Sequence, residues 1–249
     1  MPSQPKANVP KGPTVVQPST CDASESVITD ASSTKKPLVL LIAKGEGTCF
    51  KEGDFSTLES RAIFVKIPWR ADKLEDSASP VPTSKLLSAN PSAAYNVKGD
   101  KPCMLVCDWF GNEYFRVEGE VSVDELTKFL LKVNEEIKDN IEKLQKNFDK
   151  AKASRDGGDR KNAIKSILKN FKMDVVGFDP QLATIKLYNE IIEEGRTEAK
   201  EKHARNDLEG LKAMQKEFKD TELEGEIAEM LKNPVGADAN PTTQDKKEK

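Results

Sequence analysis

Four cysteines are the residues best equipped for chemistry in this chain of 249 residues, and their spacing limits what that chemistry is. Cys49 stands alone in a glycine-rich segment, Lys44 to Glu52, that separates two apolar runs. A thiol-disulfide cycle needs one thiolate to attack a disulfide and a second thiol to resolve the mixed intermediate. Cys49 by itself starts that cycle without finishing it. Glu46 and Glu52 disfavour its thiolate, and Lys44 and Lys51 partly offset them. Cys103 and Cys107 lie four apart on an apolar stretch that reads as a strand, which puts them on one face about 13 Å apart. That is beyond the Cα separation of about 7 Å that a disulfide tolerates, so they read as small core side chains. Cys21 falls in a polar segment and is expected to be exposed.

Other chemistries are excluded by what the chain lacks. One histidine, His203, sits among Glu201, Lys202 and Arg205 and is expected to face solvent. A single histidine without clustered cysteines leaves no ordinary zinc site and no Cys-His or Ser-His-Asp pair. Lys44 to Gly47 is too short for a phosphate-binding loop. No metal and no cofactor are expected, and the many carboxylates on amphipathic segments read as solvated faces.

The elements that position Cys49 are legible from periodicity. Pro37 to Ala43 and Ala62 to Pro68 are near-continuous apolar runs, as parallel strands covered on both faces require. The segment between them is able to form a helix, which makes a right-handed βαβ unit. Cys103 to Cys107, turn residues Phe110 to Asn112, and the alternating Glu113 to Val117 form a β-hairpin. Pro102 opens its first strand, where a missing N–H is tolerated and a cis bond is accessible at modest cost. Arg70 to Thr83 reads as a loop able to border a binding site, and Ser84 to Asn90 as a short helical segment. An amphipathic helix begins near Ser122.

This β, α, β, α, β, β, α order resembles the thioredoxin fold over roughly residues 36–133. The residues that carry the resemblance are Tyr95, Val97, Pro102, Asp108, Gly111, Glu113, Gly119, Ser122, Glu125 and Leu126. The fold class expected is an α/β thioredoxin-like domain, a mixed sheet with flanking helices, followed by an all-α helical domain. The resemblance implies that Cys49 occupies the reactive position, at the start of a helix whose N-terminal partial charge lowers a thiol pKa. It also implies that the loop at Pro102 faces Cys49, that Lys101, Pro102 and Cys103 form a peptide-binding groove, and that a Cys49 to Cys103 bridge or shared metal contact is conceivable. The chain departs from the family where the chemistry sits. Neither Cys49 to Glu52 nor Glu46 to Cys49 supplies the second cysteine of a C-x-x-C pair.

Around this domain, residues 1–36 are rich in Pro, Ser and Thr and are expected to form a disordered tail, as are residues 233–249. Residues 37–133 are assigned to the thioredoxin-like domain and 134–232 to the helical domain. Leu126, Leu130, Val133, Ile137, Ile141, Leu144, Phe148 and Ala151 keep one apolar stripe, so a single helix is expected to join the two, broken first at Gly157-Gly158. Ile164, Ile167 and Phe171 echo Leu211, Met214 and Phe218 at a fixed offset, which resembles a helix-pair repeat of the tetratricopeptide sort without its 34-residue signature. Charged residues make up 33% and the net charge is −3, which argues against a nucleic-acid binder. No apolar run reaches the about 20 residues of a membrane span, and no secretory signal is read, so a cytoplasmic location is expected. The functional expectation is a non-catalytic adaptor that binds a protein partner, with a one-cysteine thiol-disulfide redox protein using Cys49 as the alternative.

Overall fold

The apolar runs become the centre of a five-stranded mixed sheet. The computed structural model describes residues 15–45, 47–74 and 79–234. Its strands are β1 (Val15–Val16), β2 (Thr20–Asp22), β3 (Leu38–Ala43), β4 (Gly53–Asp54), β5 (Ile63–Pro68), β6 (Cys103–Cys107) and β7 (Glu113–Glu118). The helices are α1 (Glu25–Thr34), α2 (Pro91–Ala94), α3 (Val123–Asp156), α4 (Arg160–Phe171), α5 (Asp179–Ala204), α6 (Leu208–Glu217) and α7 (Glu222–Lys232). The order across the main sheet is β2-β5-β3-β6-β7. β3 pairs parallel with β5, Leu38 opposite Ile63, and antiparallel with β6, Ile42 opposite Cys103. With neighbours on both edges and cover on both faces, its residues Leu38 to Ile42 are buried, which is why the run does not alternate. The fold is thioredoxin-like, followed by a helical region.

The chain divides into two compact units, residues 1–75 with 83–142, and residues 76–82 with 143–249. The division falls inside α3, nine residues beyond the boundary read from sequence. α3 runs unbroken over 34 residues, as its stripe requires. Six of the eight stripe positions are buried, with Ile141 and Phe148 half-buried. A reciprocal capping box opens it, Ser122 N–H donating to Glu125 Oε2 and Glu125 N–H to Ser122 Oγ, which satisfies two donors the first turn leaves orphaned. In the helical unit, α4 to α7 bury Ile164, Ile167, Phe171, Leu211, Met214 and Phe218 around α5. The helices of 12, 26, 10 and 11 residues do not form two equivalent pairs.

Several expectations need correction. Residues 15–34 are no disordered tail: β2 is an edge strand parallel to β5, and α1 is N-capped by Ser24 and buries Val27 and Ala31. Cys21, in β2, is half-buried and its Sγ donates to the Phe64 carbonyl at 3.4 Å. The tail expectations for residues 1–14 and 235–249 lie outside the described residues. The crossover after β3 forms β4 and a four-residue 3-10 turn, Phe55–Leu58, in place of an α-helix, because Gly53 at φ +108° holds a conformation that continuing helix excludes. The helical segment expected at Ser84 to Asn90 is a run of turns; the helix begins at Pro91, where proline at the first position is favoured. No cis peptide occurs among the described residues, so the Lys101–Pro102 bond is trans. Part of the loop expected to border a binding site belongs to the helical unit, where Val81 packs on its core.

Candidate functional site

The residues that carry the family resemblance turn out to build a frame. Tyr95, at the end of α2, is buried and its hydroxyl donates to the Gly111 carbonyl at 2.5 Å. Gly111 sits in the β6–β7 turn at φ +86°, and a Cβ there would lie 3.0 Å from that hydroxyl and 3.1 Å from Leu86. Asp108 closes the same turn, its Oδ1 accepting from the N–H groups of Phe110 at 2.8 Å and Asn112 at 3.0 Å. Arg116 bridges Glu113 and the Tyr95 carbonyl, and the Gly119 N–H reaches the Pro102 carbonyl at 2.7 Å. These contacts fix the hairpin against α2 and hold Pro102 at its mouth.

Cys49 lies on the loop between β3 and β4. Its carbonyl accepts from Val121 N–H at 2.8 Å and the next loop N–H, from Lys51, reaches back to the Val121 carbonyl at 3.0 Å. Phe50 follows, packed against Phe55 with the rings tilted at 39° and their centroids 4.2 Å apart. The structure brings this loop to Pro102: a Cβ on Gly47 would stand 3.2 Å from Pro102 Cγ, tighter than an ordinary contact, so the glycine leaves room for the proline ring. Lys101 is exposed and Pro102 half-buried. Cys103 is 1% exposed and sits in mid-sheet, paired with Ile42 on one side and Glu118 on the other. It offers no surface to a peptide.

The electrostatics of Cys49 oppose ionisation. The residue is 3% exposed. Burial above all, and then the neighbouring Cys103, push its thiol up to about 12, against a smaller lowering by the Ile42 main chain. At pH 7 about one thiol in 10⁵ is then ionised. Neither flanking lysine counters this. Lys44 lies over the Trp69 ring, 5.4 Å from its centroid, while Lys51 faces Glu125, whose carboxyl is lowered chiefly by the Ser122 hydrogen bonds and less by that lysine. No α-helix starts at Cys49, so the partial charge that a helix end would supply is missing. Burial likewise pushes Cys103 up to about 11. All four cysteines are free.

A cleft of 380 Å³ opens beside Cys49. Gly47, Thr48 and Cys49 form one wall, Lys66 and Ile67 of β5 another, with Gln17 and Thr20 at its edge. Pro102 does not line it but lies against Gly47, which does. Sequence reasoning missed Lys66, although a lysine interrupting the run AIFVKIP was a signal, and missed Gln17 and Thr20 because they fall in the segment read as a tail. Among the described residues no group of three or more His, Cys, Asp or Glu is placed to hold a metal, and no helix is long and apolar enough to cross a membrane. His203 is half-buried, its Nε2 2.8 Å from the Asn233 carbonyl.

No family model matches the chain, and no curated relative matches it. A solved structure described as a DsbH oxidoreductase aligns at 13% identity and a TM-score of 0.33, covering 54% of this chain and 95% of that one. That likeness is too weak to bear on function.

Proposed function

We propose that the chain is a non-catalytic adaptor, a thioredoxin-like domain that binds an extended segment of a protein partner, joined to a helical interaction domain. The observation that carries this reading is Cys49: a buried, neutral thiol without a C-x-x-C partner or a helix end beside it, on a loop that still flanks an open cleft. A peptide laid along Lys101 and Pro102 and into the cleft meets the exposed ammonium groups of Lys101 and Lys66, while the thiol in the cleft wall stays protonated. A cytoplasmic setting belongs to the same reading, supported by four cysteines that stay unpaired. Neither a nucleic acid nor a membrane enters it.

The alternative, a one-cysteine redox protein, is favoured by one observation, the closeness of Cys103 that raises Cys49. There Cys49 would attack a substrate disulfide and Cys103 would displace the mixed disulfide, releasing a dithiol and leaving a Cys49–Cys103 bridge. Affinity capture without reductant, with free thiols alkylated at lysis, separates the two. Wild type and Cys49→Ser recover the same partners if the protein is an adaptor; loss of every partner in Cys49→Ser refutes it.

A further inference from the structure

The helical unit divides its cations by type. Three of its four arginines are spent between helices, Arg155 on Glu190 and Glu194, Arg160 on Glu198 and Glu217, and Arg196 on Glu226, while Arg205 pairs with Glu201 within α5. Planar guanidinium forks suit such fixed pairs. Three of its lysines, Lys202, Lys212 and Lys232, also pair internally.

A second set of lysines does not. Lys161, Lys165 and Lys169 recur every four residues on the exposed side of α4, and Lys172 caps its end. Two clefts flank this ridge, sharing Lys165, Leu168 and Asp220 in their linings. The first, 610 Å³, lies against α3 and adds Lys150. The second, 500 Å³, lies against the end of α6 and adds Lys216 and Lys219. All seven lysines are exposed, and among the described residues none makes an ion pair.

The linings hold three carboxylates against the seven lysines. Glu217 has both oxygens on Arg160, and Glu224 accepts from the Asp220 main chain at 2.8 Å. Asp220 is the third. Asp159, at the start of α4, accepts from Asn162, from its main chain at 3.0 Å and its amide at 2.6 Å, and also faces Lys165 and Lys161, so the ridge keeps an excess of positive charge at its first turn and not an unopposed one. In a chain of net charge −3, this is a concentrated positive surface.

We infer that the lysine-walled groove along α4 binds an acidic, extended segment of a partner protein. The spacing supports it. Lysines four residues apart on a helix stand about 6 Å apart, close to the about 6.6 Å between alternate side chains of an extended peptide. The ridge from Lys161 to Lys172 is about 16 Å long, or about five extended residues. Leu168 lines both clefts, with Ala153 beside it in the first and the buried Ile164 at the base of the second. Side chains alternating between carboxylate and aliphatic therefore meet lysine walls and an apolar floor in turn. A nucleic acid is disfavoured because no arginine and no aromatic ring lines either cleft, and those are the groups that grip phosphates in forks and stack on bases.

This inference rests on reading the helical unit as an interaction module, but not on the Cys49 cleft, which is tested separately by Cys49→Ser. The experiment is a fluorescence anisotropy titration of the full chain with a labelled nonapeptide alternating glutamate and leucine. A lysine-leucine nonapeptide and a twelve-nucleotide oligothymidine serve as competing probes. Saturable binding of the acidic peptide is expected, weakening from about 50 mM to about 300 mM salt and falling at least about tenfold in Lys165→Glu/Lys169→Glu. Lys186→Glu, an exposed lysine of α5 outside both clefts, should bind as wild type does. If the double variant loses its helical circular dichroism, the wild-type preference for the acidic over the basic peptide decides. Absence of saturable binding, equal loss in Lys186→Glu, or tighter binding of the oligothymidine overturns the inference.

Discussion

Replacing Asp108 by asparagine should change how stability depends on pH, and the structure gives the sign and size. The carboxyl is fully buried in the β6–β7 turn, and burial raises it from 3.8 to about 6 even though Asn112 and Phe110 donate to it. The folded protein thus holds this proton more tightly than the unfolded chain does. A group raised on folding contributes stability that is fully present below its unfolded pKa and is lost as pH rises through its folded pKa. The window is therefore about pH 4 to 6. A rise of about two units at about 1.4 kcal/mol each puts the change near 3 kcal/mol. Asp108→Asn keeps an acceptor for the Phe110 and Asn112 N–H groups, both of which use Oδ1, and removes the titration; the acceptor that Oδ2 offers to the Asn112 side-chain amide is lost, a cost that does not vary with pH. The assay is urea unfolding followed by tryptophan fluorescence from pH 3.5 to 7.5. Both tryptophans, Trp69 and Trp109, pack on the sheet core, so the signal reads that unit alone. Wild type should lose about 3 kcal/mol relative to the variant as pH rises from about 4 to about 6.5. A difference independent of pH, or one of opposite sign, refutes the assignment.

Gly195→Ala reverses the usual helix rule. An added methyl normally gains about 1 kcal/mol in a helix, but here its Cβ would lie 2.2 Å from the Phe218 ring, so a net loss of about 1–2 kcal/mol is expected, read from the thermal melt of helical circular dichroism. Gly111→Ala should destabilise the sheet unit by about 1–3 kcal/mol through its positive φ and the crowding at Tyr95. Tyr95→Phe, which removes only the hydrogen bond to Gly111, should cost about 1 kcal/mol by the same fluorescence assay. Equal effects of the two would show that the hydrogen bond, and not the tight backbone, sets the turn.

The strands β3, β5, β6 and β7 and the long helix α3 were legible because each is specified locally, by an uninterrupted apolar run, a turn or a continuous stripe. β2 and α1 were not. An edge strand of three residues and a helix that buries only Val27 and Ala31 need little apolar sequence, so their order comes from docking on β5 and the core. The resemblance placed the Cys49 loop beside Pro102 correctly, and Gly47 makes that approach possible. It misled at the next step, because the helix expected after Cys49 is absent and with it the charge that would activate the thiol. The lysines along α4, in α3 and at the end of α6 are far apart in sequence, and only the packing of three helices gathers them.

The adaptor reading stands on the state of Cys49, which the rate of its alkylation by iodoacetamide measures, followed by mass spectrometry of the Cys49 peptide from pH 6 to 11. With the thiol raised from 9.0 to about 12, the rate at pH 8 should be about a thousandfold below that of an unperturbed thiol and still be climbing at pH 11. A rate that levels off below pH 8 would mean a thiolate poised for exchange, and would contradict the account.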